Sequence, residues 1–275
     1  MSSNEQTNLN IPEQVFSSNL SVKNYIESLK SAQIIQKALL PRKRHFNRIF
    51  KEYFKLFIPR DIVSGDYYWT GTNNNLNYLV VGDCTGHGVP AALLSVLMLN
   101  IFEYAIMNKG IKKTHKILKE VDKKFIESFK DINNNIYDNP WSDLSIIAID
   151  IENNKLYFSS ANRKMLLVDK NLNYKIFKGN RYPIGGWQIK EKRSFDTQII
   201  EYNNNDIIYL GSDGFQDQLG GEKNKKYKSK KLHNFLIENS KLPLMKQKNI
   251  LKKEFHKWKN INTQTDDVCI VAVRL

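Results

Sequence analysis

Apolar and polar residues follow one another along this chain with two different periods, and the change between them organises it. From residue 22, apolar side chains fall at Val22, Tyr25, Leu29, Ala32, Ile35 and Leu39. That three-to-four spacing lines one face of a helix. Pro41 ends it, because the residue before a proline is pushed out of helical backbone. An amphipathic helix ahead of a domain has to cover its stripe, either on its own domain or against a copy of itself, and the pattern leaves both open. Residues 1–20 are polar and read as a flexible N-terminus. The predicted division is therefore 1–20 flexible, 21–41 a linker helix, and 42–275 the main domain.

Within that domain, the apolar run 78–81 suits a buried strand that stops at Gly82-Asp83. Pro90 suits the first turn of a helix, and residues 91–107 continue as a strongly apolar helix that must lie inside the fold. A more polar, amphipathic helix spans 114–129. After Pro140 the period shortens. Runs at 144–149, 155–160, 165–168 and 174–177 read as strands, separated by turns such as Asn153-Asn154 and Asn171-Leu172-Asn173. Runs at 199–202 and 206–210 repeat that pattern, 230–239 and 244–258 are helical, and 268–273 closes the chain as a buried strand. Strands in hairpin series with helices in blocks argue for a layered α+β domain.

Composition changes this picture in two respects. The net charge is +14, and between Glu222 and Lys259 thirteen Lys stand against three Glu. Such a bias can draw in nucleic acid, an anionic surface or an acidic protein, although a solvated Lys-rich helical face is the plainer reading. Few aromatics are interleaved for base stacking, and Tyr227, Phe235, Phe255 and Trp258 read as core, so no nucleic-acid partner is expected. Cys84 and Cys269 form no CxxC pair, which excludes a zinc ligand set or a disulfide framework. The N-terminus lacks a signal-peptide pattern. The apolar stretch 89–99 is too short to cross a bilayer, and Asn100 and Glu103 interrupt its continuation. The expectation is a cytoplasmic protein with no membrane partner.

Four places set an Asp at the edge of an apolar run or beside a glycine: Gly65-Asp66, Gly82-Asp83, Ser212-Asp213-Gly214 and Asp266-Asp267. A strand fixes backbone direction, and an adjacent glycine lets the chain turn and approach a ligand closely. Carboxylates delivered in this way suit hard divalent cations. A pair of such ions activates water and clamps phosphoryl oxygens. Each Asp alone is more simply a turn former or helix cap; Asp83 could cap the helix that follows it, and Asp206 and Asp217 read as surface residues.

The wording around these positions is more specific. Pro59-Arg60-Asp61-Ile62-Val63-Ser64-Gly65-Asp66-Tyr67-Tyr68, then Val81-Gly82-Asp83-Cys84-Thr85-Gly86-His87-Gly88-Val89-Pro90-Ala91-Ala92, resembles the metal-dependent protein phosphatase (PPM) family in its bacterial SpoIIE-like branch, which includes regulators of stress sigma factors. Gly211-Ser212-Asp213-Gly214-Phe215-Gln216-Asp217 and Thr265-Asp266-Asp267-Val268 resemble its two later metal motifs, and the segment from Ala32-Gln33 to Leu39-Leu40-Pro41 resembles its linker helix. The resemblance implies a central antiparallel β-sandwich flanked by helices in four αββα layers, with two manganese or magnesium ions at one end. By motif, it implies Asp66, Asp83, the backbone carbonyl of Cys84, Asp213 and Asp266 as metal ligands acting in catalysis, with Asp267 as the alternative to Asp266. It implies direct attack of metal-activated water on phosphoserine or phosphothreonine. The implied substrate is a phosphorylated regulatory protein, with an anti-sigma-factor antagonist as one candidate. The 21–41 helix offers a route to a homodimer.

His87 stands four residues beyond Asp83, further than the corresponding histidine of eukaryotic relatives, and reads as a structural loop residue. Arg60 precedes Asp66 at a spacing only roughly comparable to a phosphate-holding arginine and is given no role. Two rival readings remain: a phosphatase fold reduced to a weakly catalytic interaction module, and a basic nucleic-acid-binding protein. The intact acidic positions weigh against the first.

Overall fold

In a computed structural model, residues 19–130, 139–186 and 193–275 are described. The predicted flexible N-terminus lies, but for its last two residues, outside them. In chain order the elements begin with α1 (Asn19–Leu39), α2 (Lys43–Ile49), β1 (Glu52–Ile58), β2 (Asp66–Asn73), β3 (Leu76–Cys84) and α3 (Gly88–Glu103). The last turn of α3 widens into a π-helical segment, Tyr104–Asn108. Then come α4 (Thr114–Glu127), β4 (Trp141–Asp150), β5 (Lys155–Ala161), β6 (Lys164–Val168), β7 (Tyr174–Lys178), β8 (Ile184–Gly185), β9 (Gln198–Glu201) and β10 (Ile207–Gly211). The chain closes with α5 (Gly214–Asp217), the short pair β11 (Leu219–Gly220) and β12 (Lys225–Lys226), α6 (Ser229–Asn239), α7 (Leu244–Lys259) and β13 (Val268–Arg274).

The strands form two antiparallel sheets, one in the order β1-β13-β10-β6-β7 and the other β2-β3-β4-β5-β9, with β8 beside β4. Why they stack is visible in the side-chain alternation of β13. Cys269, Val271 and Val273 face the core between the sheets, whereas Val268, Ile270 and Ala272 face a second core under α6 and α7. Both faces of that strand are covered, so it reads as an unbroken apolar run. β10 behaves likewise, with Ile208 and Leu210 inward and Ile207 and Tyr209 outward. On the other sheet, α3 and α4 supply Met98, Phe102, Leu118, Val121 and Phe125 to the main core. The result is the helix–sheet–sheet–helix layering that the resemblance implies.

Two local expectations change. The strand predicted to stop at Gly82 runs on to Cys84, so Asp83 lies inside β3 and caps nothing; the N-cap position of α3 is His87, without a side-chain cap bond. Gly82 also serves no turn. It pairs with Tyr67 across β2 and β3, and a Cβ there would stand 2.3 Å from the Tyr67 ring. The second change concerns α1. Its apolar stripe does not dock as a whole: Val22, Tyr25 and Ile35 stay exposed, at 58%, 59% and 62%. The C-terminal half docks through Gln36, with Leu40 just beyond the helix, both buried. Gln36 donates to the Ser64 carbonyl at 2.6 Å and to the Ser95 hydroxyl at 3.0 Å, and accepts from the Ser64 amide at 3.1 Å. The span Gly88–Asn108 is long and apolar enough to cross a membrane by composition alone, but Ala91, Ser95, Met98 and Phe102 are buried, as in the core helix of a globular domain.

The Gly82 contact makes a direct prediction. Gly82→Ala forces a Cβ into a fully buried aromatic ring, an overpacking that costs about 1–3 kcal/mol. Thermal unfolding should show Tm lowered by roughly 2–12 °C for a chain of this size; an unchanged Tm would contradict the packing.

Candidate active site

Sheet register decides where the first carboxylates go. Asp66 pairs with Asp83 across β2 and β3, and Asp83 pairs with Asp143 across β3 and β4. Directly opposed residues share one face of a sheet, so three carboxylates form a row at one end of the sandwich. From the second sheet, Asp213 follows β10 and Asp266-Asp267 precede β13, two strands that end side by side with Gly211 opposite Ile270. Gly214 lets their loops close together: a Cβ there would lie 1.9 Å from the Asp267 carbonyl oxygen. All four sequence-predicted acidic segments therefore converge. Asp143 joins them as a fifth.

Arg163 ties the two sheets together. It sits in the crossing from β5 to β6, where Asn162 takes a left-handed φ of 59°, a conformation Asn tolerates well. Its backbone is pinned, with its amide donating to Ser160 Oγ at 2.9 Å and its carbonyl accepting from Ser160 Oγ at 2.8 Å. The guanidinium is only 10% exposed; it pairs through Nη1 with Asp213 at 2.9 Å and through Nη2 with Asp83 and, at 3.7 Å, with Asp143. Asn162 Nδ2 donates to Asp143 Oδ2 at 2.8 Å. Neither Asp143 nor Arg163 was singled out from sequence. An Asp in an apolar strand and an Arg in a tight connection were the available signals, but only the register reveals that they meet Asp83.

Burial and mutual repulsion shape the protonation of this cluster. Burial pushes the Asp66 carboxyl well above its ordinary range, with the Asp83 and Asp267 charges adding to it. Asp83 is likewise pushed well up by burial, opposed by Arg163 and reinforced by Asp213 and Asp266. Asp143 is pushed up to about 6 by burial, against the pull of Arg163. Burial alone would lower Arg163, but Asp83, Asp213 and Asp143 outweigh it and hold the guanidinium above its usual range. One guanidinium thus faces more carboxylates than it can neutralise.

The two candidates in the last motif differ plainly. Asp267 is buried and committed to backbone, accepting from the Arg60 amide through Oδ1 and the Gly65 amide through Oδ2, each at 2.7 Å. Among the described residues, the Asp266 carboxylate accepts only from the amide of Asp267, at 2.8 Å through Oδ1, which leaves Oδ2 without a hydrogen bond there. Asp66 Oδ2 accepts from the Ser212 hydroxyl at 2.6 Å, whereas its buried Oδ1 has no hydrogen-bond partner, and Asp143 Oδ1 shares that condition. His87 pairs with Asp61 at 3.3 Å, both half exposed; neither joins the Arg163 cluster. The Arg60 side chain is exposed and reaches the Thr265 carbonyl at 3.4 Å.

Among the described residues, no three of these side chains already form a closed metal cage; Asp83 and Asp213 pair with Arg163 instead. The donor chemistry nevertheless fits a hard divalent cation: every donor is oxygen, and the orphaned, buried Asp66 Oδ1 lacks the partner that such groups normally have. Beside the cluster opens a cavity of about 330 Å³, lined by Asp143, Arg163, Asp213, Gln216, Ser229 and His233 among others.

Solved structures have a similar fold. The SiaA-PP2C domain of Pseudomonas aeruginosa is 27% identical, with a TM-score of 0.83 over 93% of this chain and 98% of that one. The PP2C phosphatase domain of SpoIIE from Bacillus subtilis is 16% identical, with a TM-score of 0.63 over 82% of this chain and 63% of that one. RsbX, solved in complex with magnesium, is 13% identical, with a TM-score of 0.56 over 81% of this chain and 93% of that one. No curated protein matches this chain. Fold and family match together define a PP2C-type serine/threonine phosphatase domain. The model of the SpoIIE family, stage II sporulation protein E, matches residues 75–275, and the chain belongs to that family, whose members are metal dependent. Asp66 lies ahead of the matched span.

Asp267→Ala would leave two backbone amides unpaired, a loss of about 2–4 kcal/mol. Asp266→Ala should cost less than about 1.5 kcal/mol. Urea unfolding of both variants checks this, and equal losses would contradict the assignment of Asp267 to structure.

Proposed function

We propose that this chain hydrolyses phosphoserine or phosphothreonine on a regulatory phosphoprotein, using manganese or magnesium held by Asp66, Asp83, the Cys84 carbonyl, Asp213 and Asp266. The observation that carries this reading is the meeting of Asp66, Asp83 and Asp143 from one sheet with Asp213 and Asp266 from the other. Like charges set opposite one another destabilise a sheet unless a cation offsets them, and the orphaned Asp66 oxygen points to the same need. When bound, such cations activate water and neutralise phosphoryl charge.

The chain's own residues then have separable tasks. Ser212 holds Asp66 in one orientation through the 2.6 Å hydrogen bond. Asp267 fixes the backbone at Arg60 and Gly65, and so the entry of the chain into Asp66. Asn162 orients Asp143. The cavity lined by Arg163, Ser229 and His233 is where the phosphorylated side chain would enter. By resemblance, an anti-sigma-factor antagonist is the candidate substrate. The exposed apolar residues in the N-terminal half of α1 favour pairing with a second copy over docking on the domain, because the docked half is already served by Gln36 and Leu40.

Purified protein should hydrolyse p-nitrophenyl phosphate and a phosphoserine protein with manganese and stop with chelator. Asp83→Asn and Asp213→Asn should each lose at least the roughly 10- to 100-fold that removing a mere outer partner of a metal ligand costs. Undiminished turnover in both variants would sink this reading. For α1, light scattering at micromolar concentration should give a dimer that Val22→Glu with Tyr25→Glu converts to monomer. A wild-type monomer would count against the pairing.

A further inference from the structure

Arg163 occupies an unusual position for a basic residue. Two of its three carboxylate partners, Asp83 and Asp213, are the same side chains assigned above to divalent cations, and they come from different sheets. The guanidinium is a planar fork, so it spans both acids at once in a way a point charge does not. Its position is not adjustable by chain movement, because Ser160 pins its amide and carbonyl and Gly179 donates to the same carbonyl at 3.3 Å. Its Nε is buried without a partner, so the group is placed for its Nη contacts rather than for complete hydrogen bonding.

We propose that Arg163 is a positioning residue that competes with the divalent cation for Asp83 and Asp213, and so sets the metal affinity of the site. The inference rests on the assignment of those two acids as cation ligands. Arg163 engages Oδ2 of Asp83 and Oδ2 of Asp213, so a cation that takes the same lone pairs displaces it from that bridge and leaves it Asp143, at 3.7 Å, as a partner. The two binding events are therefore coupled with opposite sign, and coupling of this kind spans roughly 5- to 150-fold in affinity. In the absence of cation, the same bridge offsets the charge of Asp83, Asp143 and Asp213.

The test is calorimetric titration of manganese into wild-type protein, Arg163→Gln and Arg163→Lys, with thermal unfolding in chelator and in manganese. Arg163→Gln should bind manganese about 10-fold or more tightly, and should be less stable than wild type in chelator, with the gap closing in manganese. Arg163→Lys keeps the charge but loses the fork, so it should also bind more tightly than wild type. If Arg163→Gln does not fold in chelator, Arg163→Lys carries the comparison. Equal or weaker manganese binding by the folded variants overturns the proposal alone, as does wild-type affinity in Arg163→Lys. Absence of manganese binding by wild-type protein overturns it together with the reading of the site as a metal centre. A purely structural role for Arg163 would loosen the site and weaken binding, the opposite of the expected shift.

Discussion

The structure turns on the repulsion among Asp66, Asp83 and Asp143, set side by side by the register of β2, β3 and β4 and faced by Asp213 and Asp266 from the second sheet. No arrangement of backbone hydrogen bonds relieves that repulsion. Positive charge at that end of the sandwich offsets it, and Arg163 places a buried guanidinium there. Breaking such a buried pair by removing one partner commonly costs about 3–5 kcal/mol, so Arg163 is as much part of the fold as of the site.

Everything near that end can be understood as a means of holding the charges in place. Gly82 admits the Tyr67 ring against β3, and Tyr67 in turn reaches Ser142 at 3.1 Å, which donates to the Asp83 carbonyl at 3.0 Å. Gly214 lets the loop carrying Asp213 lie on the loop carrying Asp266. Asp267 is spent on the amides of Arg60 and Gly65, and Gln36 of the N-terminal helix ties down Ser64 two residues before Asp66. The site is thereby attached to both sheets, with a clamp from α1.

Much of this was legible in the sequence, and the reasons for success and failure are physical. The strands of the second sheet are apolar on both faces and stand out as runs, and the four acidic motifs stand out because Asp beside Gly or at a strand edge is locally distinctive. Asp143 and Arg163 were not legible. Their importance depends on which residue lies opposite which, and register is set by turn geometry and the global packing rather than by local pattern. The strand β1 was also missed, as was the continuation of β3 through Asp83, where the glycine suggested an ending that Tyr67 instead fills. In α1 the apolar spacing foretold the helix but not its mode of docking, which relies on two amide side chains, Gln33 and Gln36, reaching the backbone of residues 62–64.

The most direct measurement is a crystal of this protein soaked in manganese and read by anomalous scattering. Peaks within coordination distance of Asp83 and Asp213, with Asp66 and Asp266 as further ligands and Arg163 withdrawn from both, are the expected result. Absence of anomalous density there in a soaked crystal, or density at Asp61 and His87 instead, would contradict the assignment of these carboxylates to a metal centre.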